Sequence, residues 1–93
     1  MATRTARYTA NSSYIEIVAG PKEVLIQPIT GFCDLYVGTS TPNANEANTW
    51  ILKPVAGENH LDVVLETGDK IFIRAHNGVK GATLCWIEQA VPA

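Results

Sequence analysis

Apolar and polar residues alternate with a period of two through much of the chain, most plainly over residues 61–89. Leu61, Val63 and Leu65 alternate with Asp62, Val64 and Glu66, and Ile71, Ile73 and Ala75 with Phe72, Arg74 and His76. Thr83, Cys85 and Ile87 then alternate with Leu84, Trp86 and Glu88. Successive side chains of an extended strand point to opposite faces, so this period predicts strands with one face on a core. Thr67-Gly68-Asp69 and Asn77-Gly78-Val79-Lys80-Gly81 separate the runs and supply residues that accept positive φ. The stretch predicts a β-meander.

The same reading places strands over residues 13–18, 22–29, 33–38 and 50–55, which makes seven with the meander. Ala19-Gly20-Pro21, Thr30-Gly31-Phe32 and Ala56-Gly57-Glu58-Asn59 are turns. Pro28 lacks a ladder donor, which puts it at a sheet edge or a bulge. Residues 39–49, TSTPNANEANT, form the longest irregular piece and read as a surface loop. Nowhere does apolar spacing of 3.6 persist for ten residues. The fold class is all-β: an antiparallel β-sandwich of about seven to eight strands, with jelly-roll connectivity as one arrangement. The chain divides into an N-terminal arm over 1–12, one sandwich domain over 13–89 and a C-terminal tail over 90–93.

Ninety-three residues with 46% hydrophobic and 17% charged side chains fit one small globular domain with a fairly apolar surface. The net charge of −2 argues against a nucleic-acid platform. No apolar run approaches the roughly 20 residues of a membrane span. The N-terminal stretch carries Arg4 and Arg7 without an apolar core, so it does not read as a secretory signal.

Candidate chemistry is sparse, and no cofactor is expected. His60, His76, Cys33 and Cys85 could sum to a zinc set, but none of them forms the close pair that clamps one side of a metal. A Cys85–His76 nucleophile pair fails on parity, since the two face opposite ways along their strands. Asp62, Glu66 and Asp69 gather near one turn, as oxygen ligands for calcium or a glycosidase carboxylate pair would, yet their spacing is also ordinary for solvent-facing acids. Cys33 and Cys85 read as two buried thiols; a disulfide would need their Cα atoms within about 7 Å. These readings predict a protein that is not an enzyme.

Both faces of the 61–89 strands are apolar. If Cys85 and Ile87 point inward, Leu84 and Trp86 point outward and join Phe72 and Val64 in one apolar strip, which would be a subunit or partner surface. In the other phase that strip is the inner layer and Cys85 faces out. The alternation leaves both open. Tyr36, Trp50, Phe72 and Trp86, with Arg4 and Arg7 of the arm, are the candidate contact residues.

The succession YVGTSTP, a polar loop, LKP, LDVVLETGDKIFIRA and a glycine turn with ATL resembles small structural proteins of tailed bacteriophages, in particular all-β virion proteins of the capsid decoration, or cement, type. The resemblance spans residues 34–87 and rests on strand-and-turn patterns, so no catalytic residue carries over. It implies a β-sandwich that stabilises the shell by bridging subunits of the major capsid protein. It also implies a homo-oligomer (a dimer or trimer), arms reaching across capsomers, and a place on the capsid surface of a virion assembled in the host cytoplasm. The alternative is a phage fibre or carbohydrate-binding module using Trp50, Tyr36 and the 39–49 loop.

Overall fold

Eight strands form where the alternation is least interrupted: β1 (Thr3–Ala10), β2 (Ile15–Ala19), β3 (Lys22–Thr30), β4 (Cys33–Gly38), β5 (Trp50–Leu52), β6 (Leu61–Leu65), β7 (Lys70–Ala75) and β8 (Ala82–Ala90). The computed structural model describes residues 3–43, 45–53, 60–76 and 82–90. The expected turns at 56–59 and 77–81, the end of the 50–55 strand and residues 91–93 lie outside them. All seven expected strands are present with shifted ends.

The eighth strand corrects an expectation. Residues 3–10 are not an unstructured arm but β1, laid along β8 from Thr3↔Gln89 to Ala10↔Ala82. Ala6, Tyr8 and Ala10 turn towards the core, where their small or partly polar side chains suffice because β8 and β7 already cover that end. Thr5, Arg7 and Thr9 take the solvent side.

The strands form two antiparallel sheets, with sheet A in the order β1-β8-β3-β6 and sheet B in the order β2-β7-β4-β5. β1 pairs with β8, β2 with β7, β3 with β6 and β4 with β5, as when one long hairpin is wrapped around a core. This is jelly-roll connectivity.

It also overturns the β-meander. β6 pairs with β3, β7 lies between β2 and β4, and β8 lies between β1 and β3, so the last three strands cross between sheets and never pair with one another. A period of two says which faces a strand has, not which neighbours it takes. The β6–β7 turn shows how the crossing is held. Asp69 N–H donates to the Glu66 carbonyl at 3.1 Å, and the Asp69 carboxylate accepts from Glu66 N–H at 3.0 Å. Gly20 N–H then donates to the Asp69 carbonyl at 2.7 Å, fastening this turn to the β2–β3 turn.

The core joins Val24, Ile26, Leu65, Leu84 and Trp86 of sheet A to Val18, Cys33, Leu35, Leu52, Ile71, Ile73 and Ala75 of sheet B. The proposed strip of Leu84, Trp86, Phe72 and Val64 is therefore not one face. Leu84 and Trp86 are inside, Phe72 is buried outside that core cluster on the far side of sheet B, and Val64 is exposed on sheet A. Pro28 sits where the β3–β8 register shifts and beyond the last residue of β3 that β6 reaches, so its missing N–H leaves no gap in a two-sided ladder.

Two glycines in these linked turns are needed for different reasons. Gly68 adopts φ +95° with open space around it, whereas a Cβ on Gly20 would strike the Glu66 carbonyl. Urea denaturation should show Gly20→Ala and Gly68→Ala each costing about 1–3 kcal/mol. Asn tolerates positive φ, so Gly68→Asn should recover part of the loss, while Gly20→Asn should not.

Candidate functional site

Two acids that the alternation does not single out, Asp34 and Glu88, are buried, and each gathers basic partners around it. On the outer face of sheet B, β4 and β7 run in register so that Asp34 lies beside Arg74. Arg74 Nε donates to Asp34 Oδ2 at 3.0 Å, and His76 Nδ1 lies 2.6 Å from Asp34 Oδ1. The guanidinium stacks over the Tyr14 ring, 4.3 Å from its centroid, and Phe32 packs near His76. Asp34 is thus only 4% exposed although it points away from the core. Backbone bonds from Ala75 to Asn11 and from His76 to Phe32 draw the β1–β2 and β3–β4 connections over the cluster. Burial raises the pKa of Tyr14, and the nearby Arg74 offsets only part of the rise.

The second cluster closes one end of the inner face of sheet A. Glu88 of β8 points inward and is 7% exposed. Its Oε1 accepts from Trp86 Nε1 at 3.0 Å and Arg4 Nη2 at 2.9 Å, and its Oε2 lies 3.2 Å from Lys22 Nζ. Burial alone would raise the carboxyl pKa. The hydrogen bonds from Trp86, Arg4 and Lys22 outweigh it and hold the pKa below the ordinary 4.5. Arg4 is therefore a structural partner of Glu88 rather than the tip of a free arm, and its guanidinium end remains largely in water.

These arrangements decide most of the proposed chemistry. Cys33 lies in the core and its thiol is pushed up to about 11 by burial and then by the Asp34 carboxylate, which keeps it protonated and inert. Cys85 is half-buried on the outer face of sheet A; both thiols are free, on opposite sides of that sheet. His76 is on the outer face of sheet B, so it cannot activate Cys85. Asp62 is on the outer face of sheet A, while the Asp69 carboxylate is spent on its own turn, so the three acids do not converge. Among the described residues no group of three His, Cys, Asp or Glu side chains could hold a metal ion.

Apolar side chains show the reverse pattern. At the border where the edge strands β5 and β6 of the two sheets approach, Leu35, Val37, Trp50, Leu61 and Val63 line a groove of about 420 Å³ together with Asn48 and Thr49 of the loop. Trp50 pairs with Leu35 and shares its inner side, yet it stays 60% exposed because β5 is a three-residue edge strand. Ile51 projects from the opposite side of the same strand. On the outer face of sheet A, Leu25, Val64 and Ile87 are exposed among polar neighbours that include Arg7, Glu23 and Asp62.

Of the expected contact residues, Trp50 and Arg7 are exposed, and Tyr36 is half-buried against Phe72 with ring centroids 6.3 Å apart. Phe72 and Trp86 are buried and offer no outer contact. Tyr36 and Trp50 lie on opposite sides of sheet B, so they do not build one platform. Leu25 and Ile87 were not singled out from the sequence; the pairing of β3 with β8 is what makes them neighbours.

No protein-family model, curated protein or solved structure matches the chain.

The depressed Glu88 pKa fixes a pH dependence. A carboxyl with a lower pKa folded than unfolded stabilises the fold above the unfolded value, and the contribution is lost as pH falls through the folded value. Denaturation midpoints should therefore drop below roughly pH 4.5. Glu88→Gln should cost about 1–3 kcal/mol at neutral pH and flatten this acid limb, because the titrating group is gone.

Proposed function

We propose that this chain is a non-enzymatic virion structural protein, a capsid decoration subunit that stabilises a phage shell by bridging major capsid protein subunits. The observation that carries the reading is the distribution of side chains. Charged groups are drawn into Asp34 and Glu88 clusters that hold the sandwich together, while apolar groups project at the β5–β6 border and on sheet A. A surface of that kind gains by covering, not by reacting. The jelly-roll connectivity supports the reading only as an architecture that viral capsid domains share with lectins and other proteins.

In this account Trp50, Ile51 and Val37 seat the subunit where shell subunits meet. Opening the junction then requires breaking the added contact as well. Repetition over the shell multiplies the effect without demanding strong individual contacts.

The exposure of Trp50 beside a largely apolar groove favours a second reading, a fibre or carbohydrate-binding module that stacks sugar rings on the indole. Tyr36 takes no part in it, being on the other face.

Binding of the purified protein to assembled shells, read by co-sedimentation, separates the two. Trp50→Ala should fold normally, because the residue is exposed, and weaken shell binding by about 2 kcal/mol, roughly thirtyfold. Absence of the protein from purified virions together with no shell binding would sink the decoration reading. A glycan-array signal abolished by Trp50→Ala would establish the second.

A further inference from the structure

We infer that the outer face of sheet A is a self-recognition surface, which packs face to face with the same surface of a second copy about a two-fold axis parallel to the strands. The register sets Thr5, Ile87, Leu25 and Asp62 side by side in one row across β1, β8, β3 and β6. Ile87 and Leu25 occupy the middle of the row at 44% and 43% exposure, flanking a shallow depression of about 220 Å³. Two large aliphatic side chains thus stand together at the centre of a sheet face, where a partner surface would remove both from water.

A two-fold interface must be complementary to itself. An axis parallel to the strands lays β8 of one copy over β3 of the other, so Ile87 meets the second copy's Leu25, and Leu25 meets its Ile87. The same axis lays β1 over β6. That brings Thr5 over the second copy's Asp62, with Arg7 two residues further along β1 as the nearest cation on the facing strand. Turning the axis through a right angle would stack β6 on β6 and set Asp62 against Asp62. Charge selects the first arrangement.

The available area suits a reversible contact. Four strands of eight, nine, nine and five residues at the common spacing give a footprint of roughly 500 Å² on each copy. That places the pair among weak, transient interfaces, with dissociation constants on the order of tens of micromolar or above. The dimer does not depend on the decoration reading: a dimer without shell affinity sinks that reading alone, and shell binding by a strict monomer sinks this one.

Sedimentation equilibrium of the full chain over a concentration series tests the inference. The expected result is a reversible dimer that Leu25→Glu or Ile87→Glu weakens by roughly thirtyfold or more, with circular dichroism unchanged and with a thermal midpoint that rises with protein concentration in the wild type and not in the variants. Arg7→Asp and Asp62→Arg should each weaken it, and the double swap should restore it. Alkylation of Cys85, which lies on the same face, should slow as protein concentration rises in the wild type and not in Leu25→Glu. A chain that remains monomeric at millimolar concentration, or a dimer indifferent to Leu25→Glu with Cys85 equally reactive at all concentrations, would overturn the inference. A double swap that fails to restore association would overturn the axis.

Discussion

The structure depends on β8 lying between β1 and β3 with Leu84, Trp86 and Glu88 turned inward. This strand has partners on both sides along most of its length, and its inner face carries the largest core side chain of sheet A. Glu88 would be a liability there if it stood alone, since an unpaired buried carboxylate is costly. Trp86, Arg4 and Lys22 turn it into a clamp, each from a different strand: β8 itself, β1 and β3. One carboxylate therefore ties together three neighbouring strands of sheet A at the end of the sandwich where the hydrophobic core runs out. The Asp34 cluster does the corresponding work outside sheet B, where it holds two crossover connections against β4 and β7.

That economy shapes the surface. A chain of this size has few charged side chains, and several of them are committed to structural pairs. Trp50, Ile51 and Val37 are left facing outward near the β5–β6 border, and Leu25, Val64 and Ile87 on sheet A. The groove at the β5–β6 border and the Leu25–Ile87 pair on sheet A lie on different sides of the sandwich, so covering one leaves the other accessible.

The sandwich class, seven of the strands and the jelly-roll option were legible because strands with a buried face impose a period of two on the sequence. The rest was not, for specific reasons. β1 escaped because its inward residues include only Ala6, Tyr8 and Ala10, too weak a pattern to stand out from an arm. The expected meander fails because tight turns can also cross between sheets, so strands adjacent in sequence need not pair. Trp86 and Phe72 were ambiguous because both phases of β7 and β8 are apolar, and only the strand order shows that β8 buries its even positions while β7 buries its odd ones in the core. Nothing in the alternation marks Asp34 or Glu88 as a buried acid. Their partners Arg74, Arg4 and Lys22 are brought to them by register, which one sequence does not encode visibly. The apolar centre of sheet A was hidden for the same reason, since Leu25 and Ile87 are neighbours only across a ladder.

Native-state amide hydrogen exchange tests the central claim most directly, because it reports whether β8 is paired on both sides along its length. The structure predicts that amides of β8 exchange only through opening of the whole domain, and that hydrogen-bonded amides within residues 3–10 share much of that protection. Exchange of residues 3–10 at the rate of an unfolded chain, with β8 protected on its β3 side alone, would contradict it.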